Sequence, residues 1–288
     1  MATTKSISRP AVTARRAISP GAKPVAAKVS VPGGDSALFI GSIAKCFQVL
    51  EALNVAGRAV ALTELAQLAQ LDRSATQRIT HTLKSLGYLR QDASTRAFTL
   101  SGRMLEFGHT VLATDRLRAC AQSHLEALNR RVCETVNLMK REDHEIVYLM
   151  RYPSLHAVSV DLHVGSRLPV FCSAAGRAIL AAMDEPQALV LLKGSRRTAM
   201  TPATVTDIPT LLDKLREARS LGYALNDQEA FVGDISVAAA LLDSDGAPLG
   251  AINIAVPFPR WHVGDVLTRL VPPLLKTAAA IQKELRSY

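Results

Sequence analysis

Cysteine is scarce in this chain and never clustered. The four cysteines, Cys46, Cys120, Cys133 and Cys172, include no CxxC pair, which excludes a zinc knuckle and a dithiol redox motif. Scattered single thiols fit a reducing compartment, the cytoplasm. Long apolar runs are also missing. The longest is about six residues, as in "VAAALL" at 237–242, whereas a membrane span needs roughly 20; no membrane partner is expected. The seven histidines, His81, His109, His124, His144, His156, His163 and His262, make no HxxxH or HExxH, so no metal site is supported. GxSxG, Walker and GxGxxG patterns are absent as well, and no cofactor is expected. "DHE" at 143–145 falls between two strand-like runs and reads as a hairpin turn. Ser173 beside Cys172 has no base near it in sequence and is better explained as a helix cap.

Acidic residues are few at the N-terminus. Residues 1–36 hold six Lys/Arg against one acid, net +5, out of +9 for the 288-residue chain. Residues 37–115 and 116–288 carry net +2 each. A pI near 9.6 favours a polyanionic partner. The tail resembles a transit peptide in composition, but Pro10, Pro20, Pro24 and Pro32 would break an amphipathic helix repeatedly. It reads as a disordered basic arm, able to touch phosphates but not to read bases.

The remaining length suffices for two domains. In "FIGSIAKCFQVLEALNVAG", Ile43, Phe47, Leu50 and Leu53 recur at helical spacing and Gly57 follows as a stop. "LTELAQLAQ" is a shorter helix that Thr63 can cap. After "LDRS" a third helix runs from about 74 to 86, with Ala75, Ile79, Leu83 and Leu86 inward and Gly87 ending it. "YLRQ" and "RAFTL" around "DAST" then read as a hairpin. Three helices and a hairpin, with a turn of about four residues between the second and third helices, is the order of a winged helix-turn-helix.

The outward side of that third helix carries Ser74, Gln77, Arg78, His81 and Lys84, with Arg73 just ahead of it. Arg can bond two acceptors on guanine, Gln can pair with adenine, and Ser at a helix N-terminus can hold phosphate. Arg90 and Arg96 of the hairpin would meet adjacent backbone or minor groove. A solvated polar face is the bland reading of an isolated helix. The preceding helix, the short turn and the wing weigh against it.

Residues 103–131 form a long helical stretch, its first half a connector and its second half the start of a new domain. Strands are expected at 134–140, 145–151 and 156–162, and helices at 174–183, 185–193 and 207–220. "DISVAAALLD" and "PLGAINIAV" flank the turn "SDG", and a final helix runs from about 262 to 286. Hairpin strands with helices on one face make an α+β domain. The expected plan is a tail at 1–36, a winged helix-turn-helix at 37–103, a helical linker at 104–118 and an α+β domain at 119–288.

"SIAKCFQVLEAL", "LTELAQLAQLDRSATQRITHTLKSLGYLR" and "RAFTLSGRMLEFG" resemble the DNA-binding domain of the IclR family of bacterial transcriptional regulators. "ETVNLMKREDHEIVYLMRYPS", "VGSRLPVFCSAAGRAILAAM", "RSLGYALNDQE" and "GAPLGAINIAVP" resemble its GAF-like effector domain. "YLMRYPS" and the "FPRW…LVPPLL" ending look most like the members that control aromatic-acid catabolism, the PcaR and PobR type. The resemblance implies double-stranded DNA and a small organic acid as partners, and self-association as a dimer or tetramer on a pseudo-palindromic operator. It places effector contacts at Ala174, Ala175, Asn226, Ser236, Asn253 and Ala255. Asn226 stands where an acid is common, and "SATQR" departs from a pattern nearer "STVHR", so the operator sequence does not transfer. Arg167 in "GSRLP" is added here as a carboxylate partner, with Arg151 second. The connector's Met104, Leu105, Val111 and Leu112 offer a pairing surface. Two other readings stay open: a ligand-binding module whose helix-turn-helix serves protein contacts, and an enzyme with an unrecognised site.

Overall fold

A computed structural model describes residues 36–154 and 162–287. The basic tail and the strand expected at 156–162, with His156, lie outside the described residues apart from their last positions. Contacts divide the chain after Glu106, and each unit is taken by itself.

In the first unit, α1 (Gly41–Ala56), α2 (Leu62–Leu68) and α3 (Arg73–Ser85) precede the hairpin β1 (Leu89–Gln91) and β2 (Phe98–Leu100). Gly57, at φ 60°, ends α1 as expected, its N–H bonding Leu53 O. Val49, Leu53, Val60, Leu65, Leu83, Leu89 and Phe98 make the core, and Val60 bridges to Phe98. Two details differ from expectation. The start of α2 precedes Thr63 and no side chain caps it. Ile43 and Phe47 lie exposed on α1, while Val49 and Ala52 are buried in their place.

The stretch 103–131 is two helices, α4 (Met104–Ala113) and α5 (Arg116–Val132). Asp115 breaks it by capping α5, its carboxylate accepting from Arg118 N at 2.8 Å. Leu105, Phe107 and Val111 of α4 are exposed, but Leu112 packs onto the core of the second unit.

That unit is an antiparallel six-stranded sheet in the order β5-β4-β3-β8-β7-β6. Its strands are β3 (Thr135–Glu142), β4 (Glu145–Tyr152), β5 (Arg167–Pro169), β6 (Ala224–Asp227), β7 (Asp234–Leu242) and β8 (Pro248–Pro257). Helices cover both faces, not one. On one side α5 and α10 (Val271–Arg286) pack on Val136, Leu138, Val237, Ile252 and Ile254. On the other, α6 (Ala174–Ala182), α7 (Glu185–Gly194) and α8 (Ile208–Leu221) pack on Met139, Tyr148, Ala238 and Ala251. The near-continuous apolar run of β7 has this cause, since strands covered on both faces do not alternate. The last helical stretch is also broken, into α9 (Val263–Asp265), a π-helical turn at Val266–Leu270, and α10.

Candidate nucleic-acid interface and effector face

The helix α3 is capped at its start by Asp72, whose carboxylate accepts from Ala75 N at 2.7 Å. Its inward line is Thr76, Thr80 and Leu83, all buried, with Ala75 and Ile79 half-buried and Leu86 exposed. The helix is therefore rotated by about one residue from the expected Ala75, Ile79, Leu83, Leu86 line. The two threonines tolerate burial because their hydroxyls donate to carbonyls of their own helix, Thr76 to Asp72 O at 2.9 Å and Thr80 to Gln77 O at 3.0 Å. Arg73, Ser74, Gln77, Arg78, His81 and Lys84 are all exposed. At 3.6 residues per turn, Ser74, Arg78 and His81 run along the middle of the outward side, while Gln77 and Lys84 flank it.

The wing is stiff. Asp92 accepts four hydrogen bonds on one oxygen, from Thr95 N (2.7 Å), Thr95 Oγ1 (2.9 Å), Ser94 Oγ (2.7 Å) and Ser94 N (3.0 Å). Led by the Thr95 N–H, they hold its carboxyl far below the usual carboxylate range. Arg96 sits at φ 59°, and Gln91 Nε2 donates to its carbonyl at 3.0 Å. Lys84 Nζ reaches Gln91 Oε1 at 3.1 Å, tying α3 to the wing. Arg103 donates to Leu86 O at 2.6 Å and lies 4.8 Å from the Tyr88 ring centroid, which fixes the end of α3.

In the second unit, alternation along the strands sorts the polar residues onto the α6 side of the sheet. Asn137 pairs with Arg151 on one flank and with Asn253 on the other. Arg151 Nη1 donates to Asn137 Oδ1 at 3.3 Å, and Asn137 Nδ2 to Asn253 Oδ1 at 2.7 Å. A polar line thus crosses three strands. The next row holds Thr135, Ala255 and Ser236. Asn226, which pairs with Ser236 at the end of this row, donates to Cys172 O and so ties the row to the start of α6, where Ser173 caps the helix by accepting from Gly176 N at 3.2 Å. Gly176 is required there, because a Cβ would lie 2.3 Å from Val170 O. Ala174 and Ala175, both buried, supply the first two N–H groups of α6.

Residues 109–283 match the family described as bacterial transcriptional regulator IclR C-terminal, and residues 42–93 match the IclR helix-turn-helix domain. The chain belongs to the IclR family of bacterial transcriptional regulators. It is 30% identical to the Pca regulon regulatory protein of Pseudomonas putida, across 86% of this chain and 84% of that one. It is 29% identical to the p-hydroxybenzoate hydroxylase transcriptional activator of Acinetobacter baylyi, across 83% and 90%. A crystal structure of an IclR homolog from Microbacterium hydrocarbonoxydans, complexed with 4-hydroxybenzoate, superposes with a TM-score of 0.72 at 27% identity. The match covers 86% of this chain and all, 100%, of that one.

This IclR-family regulator is accordingly a ligand-responsive DNA-binding protein, with its helix-turn-helix in the first unit and its effector domain in the second. Two of the residues expected at the effector site do other work. Arg167 lies on the short edge strand β5, where its guanidinium is taken by Glu142 and by Glu145, the latter at 3.2 Å. It is a surface ion-pair residue on the other face, whereas Arg151 stands on the α6 side of the sheet beside Asn137. Asn226 is fully buried and structural: its amide donates to Cys172 O and its Oδ1 accepts from Glu229 N at 3.3 Å. It pins the segment that opens α6. Sequence reading missed Asn137, Tyr148 and Asp234, which join Ser236, Asn253 and Ala255 on this face. Alternation from Ser236 could have found Asp234. Nothing local marks Asn137.

The wing gives a direct prediction. Asp92→Ala should lower the regulator's affinity for DNA by roughly threefold to tenfold, through loss of preorganisation, with little change in melting temperature. Fluorescence anisotropy on promoter DNA, with a thermal melt beside it, separates the two readouts.

Proposed function

We propose that this regulator controls catabolism of an aromatic or similar small organic acid, which it binds on the α6 side of its sheet. The carrying observation is the Arg151–Asn137–Asn253 line on the α6 side of the sheet. A guanidinium, side-chain amides and free N–H groups at a helix start are the donors a carboxylate needs. Support comes from the relatives named for Pca and p-hydroxybenzoate regulation and from the homolog holding 4-hydroxybenzoate. The effector contacts in this reading are Ala174, Ala175, Ser236, Asn253, Ala255 and Arg151.

Arg73, Ser74, Gln77, Arg78 and His81 read or clamp the major groove, with Lys84 and Arg96 on phosphates. One winged helix spans few base pairs, so the regulator acts as a dimer or tetramer on a pseudo-palindromic operator. The exposed apolar residues Ile43 and Phe47 of α1 in the first unit, and Phe107 and Val111 of α4 in the second, each fit a pairing surface. No helix among the described residues is long and apolar enough to cross a membrane, and DNA as the partner supports a cytoplasmic location. Effector binding shifts the balance between two arrangements of the paired DNA-binding domains, which requires different affinities for the two.

The test is a thermal shift. At a hundred times its Kd, a ligand that binds only the folded state adds about 2.7 kcal/mol. For a domain of this size that raises the midpoint by roughly 5–10 °C. 4-Hydroxybenzoate or protocatechuate should produce such a rise. No rise with either, nor with β-ketoadipate, removes the aromatic-acid reading.

A further inference from the structure

Lys84 stands on α3 and Arg96 in the turn of the wing, and one neutral side chain joins them. Gln91 ends β1, on the same side of that strand as the buried Leu89, whereas Arg90 leaves from the other side. Gln91 is half-buried. Its Oε1 accepts from Lys84 Nζ at 3.1 Å, and its Nε2 donates to Arg96 O at 3.0 Å. Both ends of the amide are used. Only one orientation of it serves, because an ammonium can only donate and a carbonyl can only accept. Glu in this place would keep the acceptor and lose the donor. Lys or Arg would keep donors and lose the acceptor.

Arg96 needs such a hold. Its φ of 59° is left-handed, a region that a residue with a side chain seldom enters. Its N–H donates to Asp92 O at 3.0 Å, and its carbonyl takes the Gln91 amide. The residue is thus held from both sides, and the turn sets the direction in which its guanidinium leaves the wing. Lys84 is held at its far end, by a neutral oxygen. Among the described residues neither cation meets a carboxylate, so both keep their charge for an outside anion. A long side chain that is already fixed loses less freedom when that anion arrives.

We propose that Gln91 is a positioning residue of the DNA interface: its amide sets Lys84 and Arg96 at a fixed separation, so that the recognition helix and the wing grip the phosphates of a duplex as one unit. The inference rests on the proposed function, which puts both cations on phosphates. Gln91 itself contacts neither base nor backbone. Its contribution is therefore the same on any duplex, because phosphate contacts carry no sequence information.

Gln91→Met keeps the length of the side chain and removes both bonds without changing charge. The test titrates the full chain by anisotropy on promoter and scrambled duplexes at several salt concentrations, at a temperature where a thermal melt shows each variant folded. Both duplexes should bind roughly threefold to tenfold more weakly. The salt slope should fall by about 1, although no charge has been removed. In an Arg96→Ala or Lys84→Ala protein the same substitution should cost less than in wild type, since part of what it positions is gone. Gln91→Glu has nearly the same shape, but it pairs off the Lys84 charge and drops the bond to Arg96 O. It should weaken both duplexes further. The positioning role is overturned if Gln91→Met leaves the slope unchanged, or if it costs as much in the Arg96→Ala protein as in wild type. It is also overturned if the loss is confined to the promoter duplex, which would make Gln91 a base reader. The single variants Lys84→Ala and Arg96→Ala separate this role from the reading beneath it. If they lower the slope and Gln91→Met does not, the phosphate contacts stand and the positioning role falls. If neither lowers it, both fall.

Discussion

Arg78→Ala is expected to weaken binding to the regulator's own promoter DNA by roughly 5-fold to 150-fold per half-site, the range of one bidentate base contact. Arg78 lies exposed at the middle of α3's outward line, and among the described residues no ion pair holds it. Its substitution therefore removes no packing, and the melting temperature should stay put. Gln77→Ala, at the flank, should cost less. Lys84→Ala and Arg96→Ala should behave differently in kind. Phosphate contacts carry no sequence information, so their loss should weaken specific and scrambled DNA alike and reduce the salt slope by about 1 each. Anisotropy titrations at several salt concentrations, on promoter and scrambled duplexes, give both readouts. If Arg78→Ala and Gln77→Ala both leave promoter affinity unchanged, α3 is not the reading helix, and the helix-turn-helix serves protein contacts instead.

The exposed side of α3 was legible from sequence because charge and amide groups cannot be buried without partners, and five of them recur at helical spacing. Its inward side was misread for the same kind of reason. Thr76 and Thr80 count as polar in a pattern, yet each satisfies its hydroxyl on its own helix and buries a methyl group. The exposed Ile43, Phe47, Leu105 and Val111 fail the pattern in the opposite sense, being apolar without a core to enter. In the second unit, strands and helices of eight or more residues were found to within a few positions. The edge strands β5 and β6, of three and four residues, were not, because so short a run has no period to read. Arg167 was chosen for its chemistry. Only the register with β4, which sets it opposite Val147 on an edge strand, shows why Glu142 and Glu145 take it, while Arg151 faces Asn137 through a pairing that no spacing in the chain reveals.

Glu229→Ala is expected to destabilise the effector domain by about 3–5 kcal/mol, the usual consequence of stranding a buried charge. The charge is Arg177, 1% exposed, whose Nη1 meets Glu229 Oε1 at 2.6 Å while Nη2 bonds the other oxygen. Its Nε is already committed to Phe171 O at 2.8 Å. Glu229 also accepts from Val205 N at 3.1 Å and pairs with Lys214 at 3.3 Å. Its carbonyl accepts from Thr204 Oγ1 at 2.6 Å. Burial by itself would raise the Glu229 carboxyl. The Arg177 hydrogen bonds and charge outweigh it, and the net shift is downward. A carboxyl lowered on folding contributes stability above its unfolded pKa, and that contribution is lost as the pH falls through the folded value. The gap between wild type and Glu229→Gln should therefore narrow below roughly pH 4. At neutral pH, Glu229→Ala should lower the midpoint by roughly 6–20 °C. Replacing both partners by apolar residues, Arg177→Met with Glu229→Leu, should recover much of this, because no charge is then left without a partner. The pair and Asn226 hold Phe171 and Cys172, the two residues just before the Ser173 cap. Glu229→Ala should consequently weaken effector binding even at temperatures where the domain is still folded. Thermal melts with and without effector read both effects. An unchanged midpoint would mean that Arg177 reaches water or another carboxylate, and that the start of α6 is held by other contacts.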